Sequence, residues 1–530
     1  MTPSLFGPIS LSLVAPELVL ALAGCVALLT AQFQNPSLRR SGPIVTLVAV
    51  LVALLVVRMT ESLGVRTTGQ TLAGSRLVFD GFADFVRLAT LFVGLLVVLV
   101  CWTQPRDEER GEFWAMMNFM LCGLLLVGSA SDLVLLFLAI ELVSIPTYLL
   151  VVLGGAGPRS LEAGTKYFYL GALSAAITAY GLSLIYGAMG QAAIDGVGAA
   201  RFVAALAEPG TLAHGVASAG LLLTIGGLLF KLAAVPLHFY VAEVYQGAAS
   251  CIAGLLGFVP KFAGLVAILK IVGLTGWNMS GGLFWTLWVV ALASMTIGNV
   301  LALWQHNVKR MLAYSGVAHA GYMLVGVIAA AGHGGVVGDG SAAVLYYIVI
   351  YGVANLGAFA LLEVLTVRGQ PCETVRDLAG LLRRAPVEAL LMALAMFTLM
   401  GLPPTPGFWG KLTLFGSALS VSNAPSLAAH QPWLVALVVL AVVNSAIAAA
   451  YYLRVIAAVL LYENDDAAER LARPAQQYGA LVCGLLLLAF SFYPNGLLSA
   501  GQMAAQSLRE SVASVYPPPG RVVAEAPIPR

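Results

Sequence analysis

GGLLFKLAAVPLHFY, residues 226–240, is apolar on both sides of a single lysine, Lys231, and carries a proline five residues further on. Pro236 cannot donate a backbone hydrogen bond, so a helix through this stretch is kinked or broken there. FTLMGLPPTPGFWGKLTLF, residues 397–415, repeats the combination: Gly401, Pro403, Pro404, Pro406 and Gly407 predict an unwound centre, and Lys411 follows it. Discontinuous helices at corresponding places in two halves of a chain point to an ion site at mid-membrane. Five of the six lysines (Lys166, Lys231, Lys261, Lys270 and Lys411) lie within or against apolar runs; only Lys309 sits beside a polar one, QHNVKR. A charge near the bilayer centre costs at least ~2.5–3.5 kcal/mol, and its usual justification is an ion path or proton relay.

Composition agrees with a membrane setting. Hydrophobic residues make up 60% of the 530, charged residues 10%, and the mean hydropathy is +0.92. Soluble domains carry roughly a quarter charged residues. A net charge of +2 argues against nucleic acid as a partner. The six cysteines are scattered and show no metal-ligand or disulfide spacing. No dinucleotide or P-loop pattern stands where it could work, so no cofactor or metal is expected on this chain. Without Lys or Arg before Arg39, a cleaved signal peptide is not expected.

The spacing predicts an all-α polytopic membrane protein with about 14 spans, near 11–31, 42–58, 82–102, 113–130, 132–153, 163–189, 215–240, 249–274, 283–304, 309–331, 341–366, 387–422, 432–461 and 477–498. Segments 59–81 and 191–214 read as loops with short interfacial or strand pieces. Residues 508–530, ending VYPPPGRVVAEAPIPR, read as a disordered tail. With both termini outside, the inner loops receive Arg39, Arg40, Arg106, Arg110, Arg159, Lys309, Arg310, Arg368, Arg376, Arg383, Arg384, Arg470 and Arg473. The outer loops keep mainly Arg58, Arg66, Arg76 and Arg201. The positive-inside rule favours that orientation.

Glu141 lies inside LLFLAIELVSIPTYLLV, residues 135–151. Burial alone favours the neutral form of a carboxylate or an amine, whereas Glu141 and Lys231 placed together would each hold the other charged. At ~4 Å and an effective dielectric of ~20 their attraction is ~4 kcal/mol, so changing their spacing would switch the lysine's proton. A buried Glu–Lys pair also serves as interhelical glue. Lys166, near a helix start, is a relay member or snorkels to the interface. Lys261, after Pro260 and flanked by apolar runs, and Lys411, beside its broken helix, read as functional; Lys270 reads as an anchor near a span end. His238 suits a proton shuttle or bonds carbonyls freed at the kink, and His319 is a relay or water-wire contact or a core histidine. Glu17 and Glu243 read as interface-solvated, and Asn299, Asn355 and Asn444 as interhelical hydrogen-bond formers.

FKLAAVPLHFYVAEVYQGA (230–248), PKFAGL (260–265), GNVLALWQHNVKRMLAYSGVAHAGYML (298–324) and GLPPTPGFWGKL (401–412) together resemble the antiporter-like membrane subunits of respiratory complex I. EAGTKYFYLGA, VYQGA, AHAGY and a lysine at 411 are most similar to the subunit-N branch. The resemblance covers about residues 110–460. It implies an antiporter-like fold with two inverted five-helix repeats, here 112–275 and 280–461, each with a broken helix. Residues 1–111 would form three leading helices and 462–507 a closing one. By motif, Glu141 would be the acidic partner, Lys231 the switching lysine, Lys166 an accessory beside them, Lys261 a bridge, and Lys411 the loading or release site. His238 and His319 would line the connecting water path. The chain departs from the pattern at Phe239, where the family often has Trp, at Glu243 for an Asp, and at Ala249 for the usual proline. All three bear on loop geometry at the cytoplasmic end of the first break.

The resemblance implies a proton-translocating subunit of an NADH:quinone oxidoreductase in the bacterial inner membrane. NADH, FMN, iron–sulfur clusters and quinone would sit on partner subunits, among them further antiporter-like and small helical ones. A subunit of a cation/proton antiporter or membrane-bound hydrogenase would have similar lysines but copurify without the NADH-oxidising subunits. A passive membrane scaffold would tolerate their replacement by methionine or glutamine.

Overall fold

The computed structural model describes residues 8–33, 35–62, 70–71, 76–104, 110–155, 157–332, 338–421, 425–463, 468–471 and 473–513. Among these, thirteen helices are long and apolar enough to cross a membrane. In chain order the principal helices are α1 Pro8–Ala31, α2 Gly42–Ser62, α3 Gly81–Val100, α4 Arg110–Ser129, α5 Leu133–Gly154, α6 Pro158–Met189, α7 Leu212–Lys231, α8 Val241–Gly247 and α9 Ser250–Leu274. There follow α10 Gly281–Trp304, α11 Val308–Ile328, α12 Gly340–Val364, α13 Pro386–Met400, α14 Pro406–Leu419, α15 Gln431–Leu460, α16 Pro474–Phe492 and α17 Asn495–Ala513. The pair α13/α14, each too short to span alone, makes one broken crossing. The helix starts follow local chemistry: Asp132 accepts from the amides of Val134 and Leu135 to cap α5, and prolines open α6, α13 and α14.

The expected span 215–240 ends early as a helix, at Lys231, and resumes as α8; the span 387–422 divides between Met400 and Pro406. The fourth crossing after α3 and the fourth after α9 are thus the interrupted ones. The segment 191–214 contains a helix, Gly196–Ala207, and a two-residue hairpin pairs Gln70–Thr71 with Val78–Phe79. A small antiparallel sheet joins Leu365–Val367 to Gln370–Pro371 and Glu469–Arg470. Residues 508–513 of the expected tail are instead helical, because α17 continues to Ala513. Its polar face makes it an amphipathic surface helix rather than a span extension. Residues 514–530, with Arg66, Arg106 and His333, lie outside the described residues.

At the centre, α9 is buried along its whole length and packs against α12, buried everywhere but Glu363. That exception is a hub. Glu363 accepts hydrogen bonds from Arg473 (2.7 Å), Gln104 (2.8 Å) and the backbone amide of Cys251 (3.3 Å), tying α16, the end of α3 and the start of α9 together. Its side chain is 8% exposed, that of Arg473 35%. Removing the carboxylate strands an arginine and an amide, so Glu363→Ala is expected to cost about 2 kcal/mol or more, discounted for the arginine's solvent contact. A lower Tm in detergent, with Glu363→Gln intermediate, is the check.

Glu17 departs from expectation. It is buried, not interface-solvated, because Arg87 reaches it from α3 with Nε at 2.9 Å and Nη2 at 2.5 Å, while Nη2 also donates to the Leu13 carbonyl. Lys309 is buried as well, despite its polar run, and donates to the carbonyl of Ala248 at 3.0 Å. Asn355 bonds the Gly254 carbonyl across α9–α12, and Asn299 bonds the Asn444 carbonyl across α10–α15, as the polar-glue reading anticipates.

Candidate functional site

Lys231 is the last residue of α7, and its side chain crosses to α5. There it meets three acceptors on one helical face: Glu141 Oε1 at 3.4 Å, Ser144 Oγ at 2.6 Å and Tyr148 Oη at 3.2 Å. Residues three and seven positions from Glu141 stack above it on that face. Ser144 already donates its own proton to the Ile140 carbonyl, so toward the lysine it can only accept. The carboxylate is thus the longest of the three contacts, and two hydroxyls share the ammonium. Lys231 is 5% exposed and Glu141 17%, so the acid is the member open to influence from outside the chain.

The other buried lysines follow a different rule. Lys261 donates to the Leu232 carbonyl (2.6 Å), Lys411 to that of Met400 (2.7 Å), Lys270 to those of Gly128 and Ala130 (2.6 Å each), and Lys309 to that of Ala248. Each acceptor lies at the C-terminal end of a helix, where carbonyls lack intrahelical partners and the helix dipole is negative. Breaking α7/α8 and α13/α14 creates two such ends inside the bundle, one for Lys261 and one for Lys411. At both breaks a residue takes a left-handed conformation, Ala233 (φ 57°) and Gly401 (φ 80°). Gly401 also makes room, since a Cβ there would lie 2.9 Å from Cδ of Lys411. The carboxylate partner expected for Lys231 is therefore present, and Lys261 and Lys411 meet helix-end carbonyls.

Lys231 and Lys261 line a common cavity of about 10 Å³, room for a single water, with Tyr167, Tyr240 and Tyr245 among its walls. Beyond Lys261, His319 is fully enclosed, its Nδ1 2.7 Å from the Tyr347 hydroxyl and its Nε2 2.9 Å from that of Tyr452. Tyr452 meets Tyr451, whose hydroxyl donates to Asn299 Oδ1 at 3.1 Å. The Asn299 amide meets the Tyr322 hydroxyl at 3.2 Å. Lys411 stands 5.0 Å over the Tyr322 ring and donates to Ser445 at 2.7 Å. Polar groups therefore connect Glu141 to Lys231 and Lys261 on one side, and His319 to Lys411 through tyrosines and Asn299 on the other.

Two expected members stand apart. Lys166 gives its ammonium to Glu243 (2.6 Å) and Glu162 (2.7 Å) on a half-exposed face, rather than to Glu141. His238 is partly exposed, and its Nδ1 faces the Pro236 carbonyl at 3.3 Å, the freed-carbonyl contact of the kink. Lys270, expected as an anchor near a span end, is buried and bonds the carbonyls of Gly128 and Ala130. Ser144, Tyr148, Ser445 and the tyrosines round His319 escaped the sequence reading, although the spacing 141, 144, 148 on one helix was a usable signal. Ala249 has φ −56°, close to the value a proline ring imposes.

A bundle with two broken crossings and a buried lysine at each break defines the antiporter-like class of polytopic membrane proteins. The chain belongs to the NADH:quinone oxidoreductase/Mrp antiporter transmembrane family, whose model matches residues 130–443. Among its relatives, NADH-quinone oxidoreductase subunit N of Trichlorobacter lovleyi is 33% identical over 95% of this chain and 98% of its own length. A chain in the respiratory complex I of Thermus thermophilus with bound aureothin superposes with a TM-score of 0.73 at 29% identity, covering 92% of this chain and 99% of that one. A chain of the Mrp complex from Dietzia sp. superposes at 0.78 with 21% identity over 94% and 98%, a likeness of fold alone.

Proposed function

We propose that this chain is a proton-translocating membrane subunit of an NADH:quinone oxidoreductase, corresponding to subunit N. The observation that carries the reading is the row Glu141–Lys231, Lys261, His319, Lys411, buried between two helix breaks. Its chemistry is proton transfer, not redox. NADH, FMN, iron–sulfur clusters and quinone belong to partner subunits, and further antiporter-like and small helical subunits flank the chain in a bacterial inner membrane. The arginine distribution supports both termini on the periplasmic face. The order of helices supports repeats at 112–275 and 280–461, after leading helices within 1–111.

In this reading a charge change in a neighbouring subunit acts first on Glu141, the partly open member of the pair. Drawing the carboxylate away removes an attraction of ~4 kcal/mol. The ammonium, then held by Ser144 and Tyr148, releases its proton toward Lys261 across the shared cavity. Lys261 and Lys411, whose ammonium groups face helix-end carbonyls and no carboxylate, receive the proton in turn and pass it on. Lys166 tunes the entry face through Glu162 and Glu243, and His238 acts at the kink. Purification of the native complex tests the identity. Flavin, iron–sulfur subunits and NADH-driven proton uptake in vesicles should accompany the chain, whereas proton exchange for sodium without NADH oxidation would assign it to an antiporter.

A further inference from the structure

We propose that Arg509 is a positioning residue: from the last helix, α17, it ties together the ends of α9, α11 and α12 on one face of the bundle, and so holds His319 against Tyr347. The inference rests on the proton-relay reading and names a residue outside the row. Nη1 and Nη2 of Arg509 each donate to one oxygen of Asp339 at 3.0 Å, a forked pairing that fixes direction as well as distance. Nη2 also donates to the carbonyls of Ala330 (2.8 Å) and Gly332 (3.1 Å). The guanidinium carbon lies 5.5 Å from the ring centre of Trp277, just beyond the end of α9.

Each of these contacts belongs to a helix that carries the relay. Asp339 is the N-cap of α12 and accepts from the Ala342 amide at 3.1 Å. Ala330 and Gly332 belong to the 3-10 turn Ala329–Ala331 and its cap, which end α11; carbonyls there lack intrahelical partners and favour a cation. One side chain therefore joins the last turn of α11 to the first turn of α12 and sets their axial register. At 1.5 Å per residue, His319 lies about 16 Å from this tie along α11, and Tyr347 about 12 Å along α12. Between tie and histidine the two backbones touch, since a Cβ on Gly340 would collide with the Gly326 carbonyl. Close-packed helices transmit a shift at their ends along their length. The 2.7 Å contact of His319 Nδ1 with the Tyr347 hydroxyl is lost after a slip of about 1 Å. The platform that presents the arginine is itself fixed. Leu498, Ala504, Ala505 and Leu508 of α17 are buried, and the Gly81 amide at the start of α3 donates to Ser507 Oγ at 3.0 Å.

The test uses the whole complex in proteoliposomes, with protons moved per NADH, assembly on native gels and Tm in detergent recorded together. Arg509→Ala should lower the proton ratio about threefold or more in the complex that assembles. Asp339→Asn keeps an oxygen for the Ala342 amide but loses the charged fork, and it should lower the ratio likewise. It decides the matter if Arg509→Ala does not assemble. Tyr347→Phe removes the hydroxyl that His319 meets and should lower the ratio by itself. The double variant Arg509→Ala/Tyr347→Phe should stay within about twofold of Tyr347→Phe alone, because both changes act on one contact. A tie that only stabilises the fold would lower Tm and leave the ratio untouched, and that result overturns the proposal. Multiplied losses in the double variant, or a normal ratio in Tyr347→Phe, overturn it too. Lys231→Met in the same series separates the two levels. A normal ratio there defeats the relay reading, whereas its loss beside normal ratios in Arg509→Ala and Asp339→Asn defeats the tie alone.

Discussion

Lys231→Met is expected to cut NADH-driven proton uptake by about tenfold or more in a complex that still assembles. Methionine fills much of the same apolar volume, so α5 and α7 keep their packing. Ser144 retains its bond to Ile140. What disappears is the ammonium placed against Glu141, and with it the charge paired with the carboxylate. Glu141 is left partly exposed, which limits the structural penalty. Dye-quench assays on proteoliposomes beside NADH oxidation would show the loss. Wild-type uptake would instead favour a scaffold whose buried lysines are packing devices.

Lys411→Met should reduce uptake to a similar degree for a different reason. Lys411 faces a helix-end carbonyl and Ser445, not a carboxylate, so its removal strands no counter-charge and assembly should suffer less than for a broken ion pair. Lys270→Met provides the contrast. Lys270 holds the carbonyls at the end of α4 and touches no member of the row. It should lower Tm while leaving uptake per NADH unchanged. Equal uptake losses at 270 and 411 would mean that burial, not position in the row, is what the assay detects.

Much of this was legible in one dimension. Pro236 and the Gly/Pro cluster from Gly401 to Gly407 located both breaks, because a missing N–H acts locally whatever surrounds it. Long apolar runs located the spans for the same reason. The partners of the charges were not legible. Nothing near Lys261 in sequence says that its ammonium will reach the carbonyl of Leu232, and nothing near Glu17 says that Arg87, from another helix, will bury with it. Lys309 looked solvated because its neighbours are polar, yet its side chain turns inward to the end of α8. Ser144 and Tyr148 are neutral residues whose importance comes only from facing Lys231. The end of α17 was missed because an amphipathic helix of low hydropathy resembles a polar tail.

The pairing of Glu141 with Lys231 is the central claim, and the number of protons moved per NADH by a reconstituted complex carrying Glu141→Gln tests it most directly. Glutamine keeps the shape and a hydrogen-bond acceptor but cannot change its charge. The ratio should be clearly lower than wild type at equal assembly and equal electron input. An unchanged ratio would contradict the claim, because the lysine would then be exchanging its proton without any help from the carboxylate.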